Sequence, residues 1–314
     1  MNDRVLVTCP PMLGLIDEFA EAFANHGLEY TAADVVQVMT EDELIATLPD
    51  YDGWIIGDDP ASRRVMEGAT KGRLRACVKW GVGTDNVDFD AFGDLGIPVE
   101  NTPGVFGHEV ADVALTYTLG LARETYTIDR HIRTANGWPK PSGISVLGRK
   151  IGIVGFGDIG QQTARRLVAC GAEIVAYDPA YQPSAGIAAE HATWPERLGE
   201  VDFLIFTCPL NAATHHMLNH ETLEQLKPGV RIVNVGRGPL IQEAALIKGL
   251  QTGRVHSAAL DVFEVEPLVP DSPLRAFDQC IFGSHNGSNS VDAVRRVSHI
   301  AVDKIARLLL AGKS

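Results

Sequence analysis

The chain has 314 residues, of which 45% are hydrophobic, and its 40 acidic and 27 basic side chains give a formal net charge of −13. This length and apolar content suffice for two packed cores, because single cores stop growing at roughly 250–300 residues. The acidic balance argues against nucleic acid or an anionic membrane as a partner, and it requires a local cationic pocket for any small anionic substrate.

The start of the chain, MNDRVLVTCPP, lacks a basic leader followed by an apolar run, and no stretch of about 18 uncharged apolar residues occurs. We therefore expect a cytoplasmic protein without a membrane span. The cysteines are scattered and never closely paired, which predicts reduced thiols and no zinc site. The histidine cluster of His215, His216 and His220 is interpreted as the solvated start of a helix. Metal binding there is the alternative, and no metal is predicted.

Short strands rich in Val and Ile alternate with amphipathic stretches along the chain, which is typical of parallel α/β architecture. The first part, a small α/β domain, has predicted strands at residues 5–9, 54–57 and 76–80 and a helical pattern at 16–25. One nearly uninterrupted helical pattern then runs from His108 to about Arg133 and breaks at NGWPKPSG. We expect this helix to cross between two domains.

A second series of strands makes up the rest of the chain. Six are predicted, at residues 151–155, 173–177, 202–206, 231–235, 257–260 and 280–283. Six strands complete a doubly wound sheet, so the helical pattern that follows, Val291 to Leu310, should return to the first domain. The predicted domains are therefore 1–101 plus 286–314, which is discontinuous, and 102–285.

A glycine-rich turn follows the first strand of this second series. It reads GFGDIG, with Gly155, Gly157 and Gly160, and a helical run comes directly after it. Gly155 would permit the tight turn, Gly157 would let the backbone approach a pyrophosphate, and Gly160 would allow the helix to pack closely. The alternative is a βα turn that binds nothing. Contacts to the cofactor are also predicted at Asp158 and Ile159.

The next strand of this series ends at Asp178, which would accept hydrogen bonds from the adenosine ribose hydroxyls. A carboxylate at this position repels a 2′-phosphate, and residues 179–181 offer no arginine to bind one. NAD is therefore predicted as the cofactor in preference to NADP.

Six segments together resemble the D-isomer specific 2-hydroxyacid dehydrogenase family along nearly the whole chain. They are KWGVGTDNVD (79–88), GIPVENTPG (96–104), LGRKIGIVGFGDIG (147–160), NVGRG (234–238), LDVFEVEP (260–267) and SHNGS (284–288). The resemblance is to the phosphoglycerate-dehydrogenase-like branch without a C-terminal regulatory domain. It implies two Rossmann-like or flavodoxin-like domains, of which the first binds substrate and the second NAD, with the active site in the interdomain cleft.

The resemblance also implies a homodimer formed through the NAD-binding domain. The predicted crossing helix would supply an apolar surface for this association, made by Val110, Val113, Leu115, Tyr117 and Leu119.

Four polar residues follow the carboxyl ends of predicted strands, the edge where open α/β sheets place ligands. Arg237 can hold the carboxylate and carbonyl of a 2-oxo acid through its fork of donors. His285 can give or take the proton, and Glu266 would fix its tautomer and stabilise its protonated form. The resemblance assigns these three residues the same catalytic roles. It also places Asp261 near the nicotinamide amide.

The remaining predicted contacts surround this group. The backbone amides of Val82, Gly83 and Thr84 match the family loop that holds the substrate carboxylate. Glu264 is interpreted as solvated. Further contacts to the cofactor are predicted at Cys208, Pro209, Val235, Gly236, His285 and Gly287.

Two local features depart from the family pattern and leave the substrate open. Ser284 stands where a proline is usual, and Asn286, a predicted substrate contact, replaces an apolar residue. Asp58 and Asp59 would repel a phosphate at close range, although the nearby arginines 63 and 64 could compensate. D-3-phosphoglycerate dehydrogenase, phosphite dehydrogenase and a non-catalytic NAD-sensing protein similar to corepressors therefore remain alternatives.

Overall fold

The structure is a computed structural model that describes residues 2–134 and 137–312. Packing divides the chain into two compact units, one running up to Phe106 and resuming at Asn289, the other spanning Gly107–Ser288. In this division residues 102–106 belong to the first unit and residues 286–288 to the second.

The first unit contains a sheet that, within the described residues, has five parallel strands in the order β2-β1-β3-β4-β5. This is the flavodoxin-like order, in which the chain reverses direction along the sheet between β1 and β3. The strands are β1 (Asp3–Val7), β2 (Leu28–Ala32), β3 (Gly53–Ile56), β4 (Ala76–Lys79) and β5 (Val99–Asn101).

The second unit contains a sheet of seven parallel strands, counted over the part of the chain that the structure describes, in the order β12-β11-β10-β9-β6-β7-β8. The order from β8 to β11 is the 3-2-1-4-5-6 order of a Rossmann fold, and β12 lies beyond β11 at the edge of the sheet. The strands are β6 (Lys150–Val154), β7 (Glu173–Tyr177), β8 (Ala189–His191), β9 (Phe203–Phe206), β10 (Val230–Asn234), β11 (Val255–Leu260) and β12 (Ile281–Phe282).

Helices connect these strands in both units. In the first unit they are α1 (Pro10–Leu13), α2 (Ala20–Asn25), α3 (Glu41–Thr47), α4 (Arg63–Ala69) and α5 (Phe89–Leu95). In the second they are α6 (Gly107–Arg123), α7 (Thr125–Thr134), α8 (Asp158–Ala169), α9 (His220–Gln225) and α10 (Glu243–Thr252). The last helix of the chain, α11 (Val291–Ala311), belongs to the first unit. Among the described residues, no helix is both long and apolar enough to cross a membrane.

The last helix packs on the first sheet. A Cβ atom at Gly53 in β3 would lie 3.0 Å from Cγ1 of Ile305, so the absence of a side chain lets α11 approach the strand closely. The indole nitrogen of Trp80 donates to the hydroxyl of Ser298 at 3.1 Å, which satisfies two buried polar groups between β4 and α11.

Three strands were not predicted from the sequence, and all three lie at sheet edges: β2, β5 and β8. Their residues are mostly exposed or half-buried, whereas the interior strands β3, β4 and β9 are buried at every position. An edge strand therefore needs no continuous apolar run. The prediction of six strands in the second sheet is wrong by one, because β8 has no such run.

The long helix predicted from His108 to Arg133 is two helices, because the chain turns at Glu124, whose φ is +55°. The turn brings the ring of Tyr126 back over Gly120, where a Cβ atom would lie 2.8 Å from the ring. Two residues of the predicted dimer surface, Val110 and Tyr117, are buried within the second unit. The other three are half-buried: Val113, Leu115 and Leu119.

Candidate active site

The three motif glycines in the turn between β6 and α8 differ in how much space surrounds them. Gly155 has φ +89°, and a Cβ atom there would lie 2.6 Å from Cα of Cys208. A Cβ atom at Gly160 would lie 2.1 Å from the carbonyl oxygen of Gly155. At Gly157 a Cβ atom would meet nothing within 4 Å. Gly155 and Gly160 are therefore required by packing, while Gly157 borders open space.

The N-terminus of α8 fits a dinucleotide pyrophosphate. Its N-cap is Gly157, so no side-chain cap bonds the first-turn amides, and such amides at a helix N-terminus attract anions. The side chain of Asp158 is turned toward α6, because a Cβ atom at Gly107 would lie 2.3 Å from its Oδ1. Any contact of Asp158 or Ile159 with the cofactor would thus come from the backbone at the start of the helix.

Asp178 follows β7 and is bonded to the glycine turn. Its Oδ2 accepts from the amide of Phe156 at 2.6 Å, and its Oδ1 accepts from the amide of Ala180 at 2.8 Å. The half-buried carboxylate therefore stands at the place expected for a ribose ligand. Beyond it, the ring of Tyr181 stacks on His191 with centroids 4.8 Å apart.

Cys208 and Pro209 lie after β9, where the backbone of Cys208 backs the glycine turn. Burial raises the pKa of the Cys208 thiol to about 12, so this thiol stays protonated at neutral pH. Its sulfur lies 3.9 Å from Sδ of Met217. Cys208 is thus suited to packing beside a cofactor and unsuited to thiolate chemistry.

Asp261 follows β11 and is only 3% exposed. The hydroxyl of Tyr117 donates to its Oδ1 at 3.3 Å, and the amide of Gly287 donates to its Oδ2 at 2.8 Å. Its backbone carbonyl accepts from the amide of His285 at 2.7 Å. Burial, followed by the Asp261 carboxylate, raises the pKa of Tyr117, so the hydroxyl stays a donor. Asp261 thereby fixes the loop that carries His285.

His285 and Glu266 form a close pair. Nδ1 of His285 lies 2.7 Å from Oε2 of Glu266, and both side chains are about a quarter exposed. The other carboxylate oxygen, Oε1, accepts from the amide of Phe263 at 2.9 Å. His285 has a left-handed backbone with φ +55°. Because Glu266 occupies Nδ1, Nε2 is the ring nitrogen suited to exchanging a proton with a substrate.

Arg237 follows β10, at the start of a short 3₁₀ turn (Gly238–Leu240). Its backbone carbonyl accepts from Nδ2 of Asn234 at 2.8 Å, and its Nη1 donates to the carbonyl of Gly236 at 2.9 Å. A Cβ atom at Gly238 would lie 1.8 Å from the carbonyl oxygen of Phe263. The turn that carries Arg237 is therefore pressed against the loop that leads to Glu266.

The second unit thus brings four predicted residues together at the carboxyl ends of its strands. Strand β11 pairs with β10 on one side and with β12 on the other, all parallel. Their carboxyl ends precede Arg237, Asp261 and His285 in turn, and the loop after Asp261 carries Glu266. Val235 is buried and Gly236 half-buried directly after β10, while Gly287 is buried at Asp261.

The predicted carboxylate loop, Val82–Thr84, belongs to the first unit and follows β4. The amide of Gly81 donates to the hydroxyl of Thr102 at 2.7 Å, and Nδ2 of Asn101 donates to the carbonyl of Val82 at 3.3 Å. The side chain of Val82 is 40% exposed. The loop is therefore anchored at its start and open at its tip.

The expectation for Asp58 and Asp59 needs correction. Asp59 is fully buried, and its carboxylate accepts from the hydroxyl of Thr8 and from the amide of Met39 at 2.8 Å. Burial raises its pKa. Asp59 is thus a structural group that cannot face a phosphate. Asp58 pairs at 3.1 Å with the ammonium of Lys79, which is itself 3% exposed, so its negative charge is largely compensated.

The two arginines expected to compensate these acids bond elsewhere. Arg63 pairs with Asp94 at 2.8 Å. Arg64 pairs with Glu41 at 2.9 Å and also with Asp42. Both guanidinium groups are therefore engaged by surface carboxylates of the first unit.

Two residues depart from the family pattern on either side of His285. Both are exposed: Ser284 and the predicted substrate contact Asn286. Glu264 was predicted to be solvated; its side chain is 28% exposed, and its Oε1 also lies 2.5 Å from Nε2 of His216, a partner that was not predicted. No spacing rule joins residues 48 positions apart, so the sequence could not reveal this pair. Within residues 2–134 and 137–312, no group of three His, Cys, Asp or Glu side chains is arranged to hold a metal.

Comparisons with known proteins show which family the chain resembles. Residues 115–287 match the family model described as D-isomer specific 2-hydroxyacid dehydrogenase, NAD binding domain. A hydroxypyruvate reductase from Thermotoga maritima is 34% identical over 276 residues, covering 86% of this chain and 89% of the reductase. A D-3-phosphoglycerate dehydrogenase from Mycobacterium tuberculosis is 35% identical over 277 residues, or 87% of this chain and 52% of that enzyme. The chain thus spans about half the length of the phosphoglycerate dehydrogenases it matches.

A solved structure of a Thermus thermophilus protein superposes with a TM-score of 0.87 at 30% identity, over 98% of this chain and 97% of that one. The predicted fold class, with parallel α/β sheets in both units, is confirmed.

Substituting Gly157 by alanine should weaken NADH binding by at least about tenfold while leaving thermal stability nearly unchanged, because the added methyl group fills only the space facing the pyrophosphate. Gly160→Ala is the matched control. Its methyl group would collide with the carbonyl of Gly155, so the unfolding temperature itself should fall. NADH fluorescence titration and thermal unfolding measure the two effects. Wild-type NADH affinity in Gly157→Ala would contradict the assignment.

Proposed function

Because the chain belongs to the D-isomer specific 2-hydroxyacid dehydrogenase family, we propose that it interconverts a small 2-oxo acid and the D-2-hydroxy acid through Arg237, Glu266 and His285. It is an NAD-dependent oxidoreductase that acts on CH–OH groups. The observation that carries the proposed residue roles is the 2.7 Å contact between Nδ1 of His285 and Glu266.

Bound at the N-terminus of α8 and at Asp178, NADH would supply the hydride for reduction of the substrate carbonyl carbon. Nε2 of His285 gives its proton to the carbonyl oxygen as negative charge develops there, and it takes that proton back during oxidation. Glu266 holds the ring in the tautomer that this transfer requires, and it stabilises the imidazolium before the transfer. Arg237 binds the substrate carboxylate and polarises the carbonyl through parallel N–H donors.

Other groups would position the two reactants. The open backbone amides of Val82, Gly83 and Thr84 would receive the substrate carboxylate. Asp178 would bond the adenosine ribose, and Asp261 would face the nicotinamide amide. Both carboxylates are already fixed by backbone donors, so little ordering remains when a cofactor binds.

We propose a substrate with a small unphosphorylated side chain, hydroxypyruvate being the first choice. The relative that is named a hydroxypyruvate reductase matches over 89% of its own length. Arg63 and Arg64, the cations that could hold a phosphate beside the Asp58 turn, are engaged by acids. Asn86 ties that turn to the carboxylate loop through a hydrogen bond from its Nδ2 to the carbonyl of Asp59 at 2.7 Å.

Replacing His285 by alanine should lower kcat/KM by about 10²–10⁴-fold, the usual contribution of a general acid–base group, with NADH affinity retained. Glu266→Gln should lose less, because the amide oxygen can still accept from Nδ1. His256→Ala is the matched control, since His256 lies at the opposite end of β11. The assay follows nicotinamide absorbance with hydroxypyruvate. An enzyme with His285→Ala that works within threefold of the wild type would refute the role of His285.

A panel of hydroxypyruvate, 3-phosphohydroxypyruvate and phosphite tests the substrate. We expect the highest kcat/KM with hydroxypyruvate. A higher kcat/KM for 3-phosphohydroxypyruvate would assign phosphoglycerate dehydrogenase instead, and turnover of phosphite alone would assign phosphite dehydrogenase. NADH binding without turnover of any oxo acid, hydroxy acid or phosphite would favour the NAD-sensing alternative.

We also propose that two copies associate through the second unit. Trp138 and Leu147 in that unit are 78% and 73% exposed. Leu147 lines a surface cavity of about 360 Å³ together with Leu119, Arg123, residues 143–146 and Cys170. Large exposed apolar side chains next to such a depression are typical of interaction sites.

Light scattering at micromolar concentration should therefore give twice the 33.8 kDa mass of the chain. Leu147→Asp should shift the mass toward the monomer, because a charge would be buried at the interface. Val36→Asp is the matched control, since Val36 is 93% exposed but lies in the first unit. A monomeric wild type would refute this association.

A further inference from the structure

A second histidine–glutamate pair lies beside the proposed catalytic group and takes no part in the mechanism above. Nε2 of His216 lies 2.5 Å from Oε1 of Glu264, with side chains 32% and 28% exposed. Glu264 is two positions before Glu266 on the same loop. The neighbouring His215, whose ring lies 3.9 Å from that of His216, is exposed.

His216 adopts a backbone conformation that favours glycine. Its φ is +50°, in the left-handed region that non-glycine residues rarely adopt. The amide of His216 donates to the carbonyl of Pro239 at 2.7 Å, and the amide of Leu218 donates to the carbonyl of Leu240 at 3.1 Å. The segment that carries His216 is thus bonded to the 3₁₀ turn that follows Arg237.

Glu264 is held at its backbone as well as its side chain. Its amide donates at 2.8 Å to Oε1 of Glu243, the first residue of α10. Burial is the main cause that raises the pKa of Glu243. Glu264 is therefore bonded to the imidazole of His216 through its side chain and to a half-buried carboxyl group through its backbone.

These contacts connect the turn that carries Arg237 with the loop that carries Glu266 in two ways. Gly238 presses on the backbone of Phe263 and Glu264, and His216 bonds both Glu264 and Pro239. We propose that His216 and Glu264 are positioning residues, which clamp the Arg237 turn to the loop bearing Glu266 and so fix the guanidinium relative to the His285–Glu266 pair. This inference rests on the proposed function.

The test compares His216→Gly and Glu264→Ala with the wild type. Glycine removes the imidazole and also relieves the left-handed strain, and thermal unfolding of each variant distinguishes a loss of folding from a loss of positioning. We expect kcat/KM for hydroxypyruvate to fall roughly tenfold to hundredfold, the effect of a small misplacement of catalytic groups. The KM for hydroxypyruvate should rise while the affinity for NADH stays unchanged, because Arg237 binds the substrate and not the cofactor.

Three further variants sharpen the result. Glu264→Gln keeps an acceptor for His216 and should recover most of the lost activity. The double variant His216→Gly, Glu264→Ala should lose no more than either single variant, because both remove one interaction. His215→Ala is the matched control and should behave as the wild type.

Activity of either single variant within twofold of the wild type would overturn the clamp. So would an equal loss of NADH affinity and thermal stability with an unchanged KM for hydroxypyruvate. Turnover by the wild type decides the proposed function separately, so an active enzyme lacking the pair would refute the clamp alone.

Discussion

The buried carboxylate of Asp261 is the group on which the geometry of the site depends. A buried charge is costly unless donors surround it, and Tyr117 and Gly287 supply those donors from α6 and from the loop after β12. The backbone carbonyl of Asp261 also holds the amide of His285. The backbone of His285, which has a left-handed conformation, is thereby bonded to the residue that follows β11, and this bond helps to keep its ring beside Glu266.

Parallel pairing brings the rest of the group together. Asn234 at the end of β10 is in register with Leu260, and Leu260 is in register with Phe282 in β12. Residues that directly follow these strands are therefore neighbours, although up to about fifty positions separate them in the chain. The sheet therefore brings the site residues close together, and the loops orient their side chains.

The features that could be predicted from the sequence are those that local rules determine. The interior strands, the glycine turn and the motif-based family assignment fall in this class, and the comparisons confirm the family, the fold class and NAD as cofactor. The roles of Arg237, Glu266 and His285 stay predictions. Edge strands escaped prediction because half-exposed backbone needs no apolar run, and the helix break at Glu124 depends on a contact between Tyr126 and Gly120. The partners of Asp59 and Glu264 come from distant segments, so the burial of Asp59 and the pairing of Glu264 had no local signal.

The position of Asp178 has a consequence for altering cofactor preference. Replacing this carboxylate with a cationic or small residue would remove the negative charge opposite a 2′-phosphate, but it would also leave the amide of Phe156 without its acceptor. The side chain of Asp178 thus has two roles, because it sets the cofactor preference and also holds the glycine turn. A redesigned enzyme that accepts NADP would therefore need a second substitution to hold the turn, and asparagine, which keeps an acceptor oxygen, is the least disruptive intermediate between the two preferences.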